Sequence, residues 1–367
     1  MTLYEELQQE IDLGLKGQNA SIKIGLDRVD QFIELSKGNM ITVIGETGSA
    51  KSSFVVSTFI YQPLVWYLAN KHQTSIELDI LSFSLERRQV LTTAKITSRI
   101  IFENTGKYIS MKKILGRGDN LMTEEEQQYV AMTEDVWNQF EEHLYVRENI
   151  ITYEELRAYI HDFASKHGKI TDEIDKQGNK IKVYKLNNPN KLTILVLDHI
   201  GLSATDKEGI DKVSKLLRQA RDFYHMLIVV VMQMNRNMST SSTRIKDVKP
   251  KISDMSGTSS VGMDSDIILG ILDIYRHVHV GETEENEVKD VCGYDLRELI
   301  DERGIKYYRS LHILKNTWEG EGVSFGLAFE PKINSFITMP KANEITEEDY
   351  NNIRTSKFFR PHQKKLF

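Results

Sequence analysis

A glycine-rich turn near the start of the chain has the residue types of a phosphate-binding loop. Residues 40–54 read MITVIGETGSAKSSF, an apolar run followed by the turn and then by a stretch with helical spacing. In the pattern G-x-x-x-x-G-K-[ST], small residues let backbone N–H groups surround phosphates, while the lysine and the hydroxyl reach the β- and γ-phosphates and Mg²⁺. Gly45, Lys51 and Ser52 match this pattern. Ala50 replaces its second glycine, which leaves room for close approach but loses freedom at positive φ.

This motif predicts ATP and Mg²⁺ as ligands of the chain. Lys51 is the candidate for contact with the transferred phosphate, and Ser52 is a candidate metal ligand. The alternative is a chance Gly/Ser turn, which the correct order of strand, loop and helix disfavours. The residues predicted to bind the nucleotide are Gly45, Glu46, Thr47, Gly48, Ser49, Ala50, Lys51, Ser52 and Ser53.

Two later strands each end in a polar residue that suits a nucleotide site. Residues 192–197, LTILVL, form an apolar run typical of a strand buried on both faces, and Asp198 follows them. A carboxylate at this position predicts a second ligand of Mg²⁺, opposite Ser52. Residues 226–232 form another such strand, and Gln233 follows it. Gln233 suits a sensor of the γ-phosphate, and its spacing fits a structural amide equally well.

Glu86 is the candidate for the base that activates the attacking water. The strand predicted at residues 78–84, LDILSFS, runs into Leu85 and Glu86. An acid just past the end of a parallel strand points into the crevice where α/β proteins bind ligands. Position alone favours an exposed acid at the start of the next helix, so this role depends on the rest of the site.

A polar, locally basic stretch follows the strand that ends at Gln233. Residues 234–262 read MNRNMSTSSTRIKDVKPKISDMSGTSSVG. Between Arg236 and Lys251 there are five basic residues and one acid. Such a loop beside a nucleotide site could bind nucleic-acid phosphates through lysine, arginine and backbone N–H groups. The alternative is a solvated surface loop, which the residues by themselves favour slightly.

The order of elements around these residues predicts an α/β fold. Strands alternate with helices, which is typical of a mostly parallel central sheet flanked by helices. Residues 168–191 predict a polar β-hairpin that leaves this core, and the charged residues 281–305 predict another excursion. The basic tail from Asn351 is predicted to lack a core of its own and to be disordered when free.

The amino-terminal residues 2–17 predict an amphipathic helix. One apolar stripe along it is formed by Leu3, Leu7, Ile11 and Leu15, which recur every four positions. The stripe could pack on its own domain or on a neighbouring subunit, and the sequence leaves both open.

Composition excludes several classes of protein. The chain has 367 residues, 40% of them hydrophobic, which suffices for one large α/β domain or two smaller ones. Cys292 is its single cysteine, which excludes an internal disulfide framework and fits a reducing compartment. No apolar run approaches the roughly 18 residues that cross a membrane, and the acidic, amphipathic start is not a secretory signal. Because the net charge is −6, nucleic-acid binding must use a local patch.

In their order along residues 22–340, these motifs resemble the RecA-like ATPase domain of DnaB-type replicative helicases, in a phage-like form. The matching segments are the phosphate loop, FSLE at 83–86, LDHIGL at 197–202 and MQMNR at 232–236. The resemblance implies a RecA-like P-loop core and an ATP-hydrolysing DNA helicase that forms a hexamer. In the family, the FSLE glutamate is the catalytic base and the glutamine is the phosphate sensor, roles that carry over to Glu86 and Gln233.

The resemblance also implies single-stranded DNA as a partner. The segment 253–266, SDMSGTSSVGMDSD, is similar to the family loop that holds DNA phosphates by backbone N–H groups. The residues assigned to DNA are Arg236, Ser256, Gly257, Thr258 and Ser259. The amino-terminal helix is similar to the linker helix that docks on the next protomer. The implied organisation is a linker helix at 1–19, the ATPase domain at 20–340 and a basic tail at 341–367.

The chain departs from the family pattern in two places. Where the family has K-x-R, a lysine and an arginine finger that reach the neighbour's ATP, this chain has Lys315, Asn316 and Thr317. Lys315 stays a candidate catalytic residue, while the missing arginine puts fast hydrolysis in doubt unless Arg309 or another residue replaces it. Only residues 1–19 precede the core, so the family's amino-terminal collar or primase domain is expected to be missing.

Three functions stay open at this level. The first is a hexameric helicase that translocates on single-stranded DNA during replication, in the cytoplasm of a bacterium or a phage-infected cell. The second is a RecA-like recombinase or mediator that binds single-stranded DNA without unwinding, and the third is a weakly hydrolysing ATP-binding scaffold of the replisome. Gln363–Phe367, QKKLF, resembles the peptides that dock on sliding clamps, which adds a clamp or another replisome protein as a candidate partner. No membrane partner is expected.

Overall fold

Thirteen strands occur in the part of the chain that the computed structural model describes, which comprises residues 3–16, 21–85, 88–117, 121–148, 152–175, 177–202, 206–234, 248–255, 259–278 and 288–359. The strands are β1 Ile22–Lys23, β2 Glu34–Leu35, β3 Met40–Gly45, β4 Glu77–Ser84, β5 Leu144–Arg147, β6 Gly168–Ile174, β7 Lys180–Leu186, β8 Lys191–Asp198, β9 Leu227–Gln233, β10 Ile267–Leu272, β11 Tyr308–Asn316, β12 Ser324–Glu330 and β13 Ser335–Thr338.

The helices alternate with these strands over most of the chain. They are α1 Leu3–Leu15, α2 Lys51–Val55, α3 Gln62–Asn70, α4 Gln89–Thr105, α5 Met111–Ile114, α6 Glu124–Ala131, α7 Glu134–Glu141, α8 Tyr153–His167, α9 Lys207–Tyr224, α10 Ser259–Asp264 and α11 Glu347–Arg354. A π-helical turn, Val56–Tyr61, joins α2 to α3 in one continuous helical run. Among the described helices, none is both long and apolar enough to span a membrane.

One nine-stranded sheet organises the described part of the chain, in the order β13-β12-β11-β10-β3-β9-β8-β4-β5. From β10 to β5 all neighbouring strands are parallel, whereas β10 to β13 are antiparallel. The expected α/β fold with a mostly parallel sheet is therefore confirmed. The predicted polar hairpin is also present, because β6 and β7 pair with each other in a separate two-stranded sheet.

Each central strand is buried on both faces, as its continuous apolar sequence predicts. In β3, Ile41 and Val43 pack into the core under α2, α3 and α4, whereas Met40 and Ile44 pack into the core under α8 and α9. Helices on both faces thus leave only the edges of the sheet for ligands.

A buried polar network ties the helical run after β3 to α4. Arg99 donates from Nε to Glu103 Oε1 at 2.7 Å and from Nη1 to Ser57 Oγ at 2.7 Å. Tyr61 donates to the second oxygen of Glu103 at 2.5 Å, and the guanidinium carbon of Arg99 lies 4.2 Å from its ring centroid. Because a half-satisfied buried network is costly, these bonds fix the two helices relative to each other.

Three residues of the stripe on α1 are left uncovered by the described residues of this chain. Leu7 is 54% exposed, Ile11 42% and Leu15 82%, and the neighbouring Tyr4 is 68% exposed. Of the two interpretations of this helix, packing of the stripe on its own domain is therefore wrong for Leu7, Ile11 and Leu15.

Two expectations about the carboxyl-terminal part are wrong. Residues 281–305 are predicted to leave the core, but their described part, 288–305, inserts Tyr294, Leu296 and Leu299 into a third buried cluster beside β11 and β12. Residues 281–287 lie outside the described residues. Disorder from Asn351 is contradicted as far as Phe359, because α11 buries Ile353 in that cluster and Phe359 is 3% exposed. A few apolar anchors suffice to dock a segment whose other residues are charged. Residues 360–367, with the QKKLF peptide, lie outside the described residues.

His312, in the middle of β11, is fully buried between two hydroxyl groups. Its Nε2 lies 3.0 Å from Ser310 Oγ and its Nδ1 lies 2.8 Å from Ser324 Oγ. Burial lowers the pKa of His312 from 6.5 to about 3. Below pH 6.5 the imidazole of His312 is therefore protonated in the unfolded chain, whereas in the folded chain it stays neutral down to about pH 3. The folded state thus loses stability as the pH falls from 6.5 to about 3.

We expect the free energy of unfolding to fall by about 1.4 kcal/mol per pH unit through His312 alone between pH 6 and pH 4. Substitution His312→Gln should remove this part of the slope, since glutamine does not titrate. The measurement is urea unfolding at several pH values. The variant His72→Gln, at an exposed position, should keep the wild-type slope. Parallel curves for His312→Gln and wild type would contradict the assignment.

Candidate functional site

The phosphate loop leaves the sheet at the carboxyl end of β3. This strand is buried along its length and ends at Gly45, where a Cβ atom would lie 2.5 Å from the carbonyl oxygen of Ile271 on β10. Only glycine fits such a close approach. Lys51 opens α2, is 8% exposed, and donates from Nζ to the carbonyl oxygen of Glu46 at 2.7 Å. The loop therefore curls back over its own lysine.

Two loop residues have a left-handed backbone. Gly48 has φ 82°, and Ala50 has φ 74° and ψ 24°. This conformation costs a residue with a Cβ atom about 1–2 kcal/mol. The position where the motif has its second glycine is therefore one that requires a left-handed residue, and Ala50 occupies it under strain.

The predicted polar strand ends converge beside this loop. Gln233, the last residue of β9, lies opposite Gly45 in the register of the sheet. Asp198, the last residue of β8, lies opposite Ser84 at the end of β4. A cavity of about 260 Å³ opens at this edge, and it is lined among others by Lys51, Ser52, Lys95, Asp198, Gln233 and Arg309.

The residues present fit a magnesium ion. Ser52 and Asp198, the two predicted ligands, line this same cavity. They offer one hydroxyl and one carboxylate oxygen, a donor set that suits Mg²⁺ because this ion binds oxygen and takes most of its ligands from water and phosphate. The geometry thus brings together the predicted metal ligands and the predicted phosphate-binding lysine.

A contact that the sequence did not indicate anchors the loop to the end of β10. Glu46 Oε2 lies 3.0 Å from His277 Nε2 and 3.9 Å from Arg276 Nε. The hydrogen bond from His277 is the main reason that the pKa of the Glu46 carboxyl is lowered. Glu46 and His277 are 231 positions apart in the chain, so spacing gave no signal for them.

Lys95 is a second residue that the sequence analysis missed. It lies on α4, its Nζ donates to Ser53 Oγ at 3.3 Å, and it lines the cavity opposite the phosphate loop. Its neighbours in sequence, TTAKITS, are ordinary helix residues without a motif. Only the packing of α4 against α2 brings this cation to the site.

Arg309 lines this cavity in its own chain. From its sequence alone, Arg309 is a candidate substitute for an arginine that reaches a neighbouring subunit. Instead, it lines the cavity with Lys51 and pairs from Nη2 with Asp273 Oδ2 at 3.2 Å. Burial lowers the pKa of Arg309, and Asp273 opposes that effect.

Lys315 and Thr317 lie at the opposite edge of the sheet. Lys315 pairs in register with Ile268 of β10, near the start of the parallel strands, and its Nζ donates to the carbonyl oxygen of Gly262 at 3.1 Å. Thr317 donates from Oγ1 to the carbonyl oxygen of Asp266 at 3.0 Å. The structure therefore does not bring Lys315 to the cavity of its own chain.

Several predicted residues fall outside the described residues. They are Glu86, Arg236, Ser256, Gly257 and Thr258.

The remaining DNA-binding candidate, Ser259, is the first residue of α10. Met234, which directly follows Gln233, forms an antiparallel bridge with Met255, shortly before α10. This bridge joins the end of β9 to the segment that leads into α10.

The family model described as the DnaB-like helicase C-terminal domain matches residues 21–338. A sequence search among curated proteins finds no match.

Many solved structures resemble this chain, and two of them cover most of it. One, described as an ATPase domain, has a TM-score of 0.63 at 14% identity and covers 92% of this chain and 99% of that one. Another, described as a DnaB-like replicative helicase and its interactions with primase, has a TM-score of 0.61 at 14% identity and covers 93% of this chain and 67% of that one. At this identity the likeness shows the fold alone, and it agrees with the expected RecA-like core.

Substitution Ala50→Gly should stabilise the protein by about 0.5–1 kcal/mol. Glycine removes the strain of the left-handed backbone, which stabilises the folded state. Part of this gain is offset because glycine also raises the conformational entropy of the unfolded chain. The matched control is Ala158→Gly at an exposed position inside α8, which should cost about 1 kcal/mol. Urea unfolding gives both values. Equal destabilisation by the two changes would show that Ala50 is not strained.

Proposed function

We propose that this chain, which belongs to the family of the DnaB-like helicase C-terminal domain, hydrolyses ATP to drive a hexameric helicase along single-stranded DNA during replication. The observation that carries the proposal is the convergence of the phosphate loop, Asp198 and Gln233 on one cavity. That cavity has the parts that phosphoryl transfer needs: a loop and a lysine for phosphates, oxygen ligands for Mg²⁺, and a polar residue that can sense the γ-phosphate.

Each residue has a distinct task in this proposal. The backbone N–H groups of the loop and Lys51 bind the phosphates. Ser52 and Asp198 would hold Mg²⁺, which would supply positive charge to the phosphate oxygens. Glu86, two residues beyond the end of β4, takes the proton of the attacking water. The observation that supports this role is that β4 ends at Ser84, opposite Asp198.

Gln233 links the nucleotide to DNA. It is followed directly by Met234, whose bridge to Met255 joins β9 to the loop that precedes α10. A shift of the Gln233 side chain on hydrolysis would therefore move that loop. The residues proposed to hold DNA phosphates there are Arg236, Ser256, Gly257, Thr258 and Ser259.

The uncovered stripe of α1 suits a second copy of the chain. Apolar side chains of this exposure on one helix face typically mark an interface. In a ring, residues 1–19 would dock on the next subunit, and Lys315 would reach the neighbour's nucleotide. Single-stranded DNA, and a primase or a sliding clamp, are the proposed partners in the cytoplasm of a bacterial or phage-infected cell.

Two variants separate nucleotide binding from hydrolysis. Lys51→Ala should weaken ATP binding by about 10- to 100-fold, because a charge-assisted contact with phosphate is lost. Glu86→Gln should keep ATP affinity within about threefold and lower turnover by at least about 100-fold, because the base is lost. Both are measured by titration with a fluorescent ATP analogue and by DNA-stimulated phosphate release. The control Lys107→Ala changes an exposed lysine that is not among the residues lining the cavity and should change neither quantity.

A forked duplex decides among the candidate functions. Strand displacement that requires ATP supports the helicase. Filament formation on single-stranded DNA without displacement would favour a recombinase or mediator, and ATP binding with negligible turnover would favour a scaffold. Thr317, in place of an arginine, is the observation that keeps both alternatives to the helicase open.

Charge placed in the stripe of α1 should break the oligomer. The double variant Leu7→Glu with Ile11→Glu puts two carboxylates into the proposed interface. Burial of each replaced apolar side chain would stabilise the interface by about 1.5–3 kcal/mol, and the variant loses this contribution. Mass photometry should then show monomers. Asp12→Asn, on the exposed polar side of the same helix, should leave the oligomer intact. Hexamers that persist in the double variant, or after deletion of residues 1–19, would rule out this role.

A further inference from the structure

Arg309 is a buried cation inside the proposed nucleotide cavity. It is the second residue of β11 and lies just beyond the end of β10, because Leu272 pairs in register with Ser310. Its side chain is 10% exposed. The cavity that it lines is also lined by Lys51 and Ser52 of the same chain.

The guanidinium of Arg309 is only partly satisfied by its neighbours. It pairs from Nη2 with Asp273 Oδ2 at 3.2 Å and donates from Nη1 to the carbonyl oxygen of Tyr308 at 2.6 Å. Its carbon lies 5.2 Å from the ring centroid of Phe329. Arg309 Nε and Asp273 Oδ1 are both buried without a hydrogen-bond partner among the described residues. A buried charge with unmet hydrogen-bonding capacity is costly unless a ligand completes it.

The order of the sheet tells which end of a nucleotide lies near Arg309. Asp198 and Gln233 end strands on one side of β3, whereas β10 and β11 lie on its other side. The metal ligand and the γ-phosphate sensor therefore mark one end of the bound nucleotide. Because the phosphate loop lies between the two sides, the other end, with the α-phosphate and the nucleoside, extends toward Arg309.

We propose that Arg309 binds the nucleotide of its own subunit at the α-phosphate end, and that Asp273 holds it in place when no nucleotide is bound. This inference rests on the proposed nucleotide site. A guanidinium offers a rigid fork of N–H donors that matches phosphate oxygens in a bidentate manner. On ATP binding, the phosphate replaces part of the contact with Asp273, and the buried arginine gains a full set of acceptors.

This role differs from that of an arginine finger in the kinetic quantity that depends on the arginine. A finger acts on the transferred phosphate and changes turnover, whereas a contact with the α-phosphate is the same for ATP and ADP. Asp273 sharpens the difference further, since its carboxylate competes with the phosphate for Arg309 and repels it. Substitutions of the two partners should therefore change nucleotide affinity in opposite directions.

The test compares Arg309→Met, Arg309→Lys and Asp273→Asn in the full chain. Titration with fluorescent ADP and a non-hydrolysable ATP analogue gives the affinities, and phosphate release gives kcat and KM. Arg309→Met should weaken both nucleotides equally, by about tenfold, with KM raised by the same factor and kcat nearly unchanged. Arg309→Lys should fall between Arg309→Met and wild type. Asp273→Asn should tighten both nucleotides by about threefold or more.

Several outcomes would overturn the inference. A folded Arg309→Met variant with wild-type affinities would make Arg309 a structural ion-pair partner, and loss of kcat with unchanged ADP affinity would make it a finger. If Arg309→Met fails to fold, Asp273→Asn decides, because unchanged or weaker binding in that variant contradicts competition for Arg309. Arg303→Met, at an exposed arginine, is the matched control and should keep wild-type affinity. Wild-type protein that binds neither nucleotide would overturn the proposed function as well, whereas wild-type binding with unaffected variants overturns this inference alone.

Discussion

The structure depends on the position of β3 at the centre of a sheet whose strands are buried on both faces. Its neighbours β10 and β9 run parallel to it, and Gly45 at its end fits against the carbonyl of Ile271 without room for a side chain. Because the strand is enclosed, the loop that follows it leaves the sheet at the carboxyl edge, where α/β proteins bind ligands. The register then brings Gln233 level with Gly45, and Asp198 ends the next strand. The pairing of the strands therefore determines which residues meet at the site, and the loop adds to a position that the sheet has already set.

Electrostatics explain why this edge is suited to a polyphosphate. Lys51, Lys95 and Arg309 all line the cavity, and Asp198 supplies a carboxylate among them. The protein provides a neutral or anionic neighbour for each cation: the carbonyl oxygen of Glu46 for Lys51, Ser53 Oγ for Lys95, and Asp273 for Arg309. Cations gathered at low exposure around a loop of backbone N–H groups favour an anionic ligand. A nucleotide would add acceptors to groups that are already in position.

Much of the fold could be read from the sequence, because a buried strand needs an unbroken apolar run and the turn after β3 needs small residues. The ends of those runs also located Asp198 and Gln233. The contributions of Lys95, His277 and Arg309 could not be read in this way, since each reaches the site through packing between distant segments. The carboxyl-terminal errors have a different cause. Around Leu299 and Ile353 a few apolar anchors stand among charged residues, and average composition hides them.

Arg309 and Lys315 both lie on β11. This strand therefore runs from the edge of the sheet that holds the cavity to the opposite edge, where the parallel strands begin. Six residues of extended chain separate them, about 20 Å. At the far end, Lys315 binds the carbonyl oxygen of Gly262 in α10, the helix that follows the proposed DNA loop. The near end of that loop is tied to β9 by the bridge between Met234 and Met255. Both ends of the loop are therefore joined to strands that line the cavity, β9 through Gln233 and β11 through Arg309. Because β9 and β11 belong to one hydrogen-bonded sheet, the sheet that forms the cavity also sets the positions of the two ends of the loop.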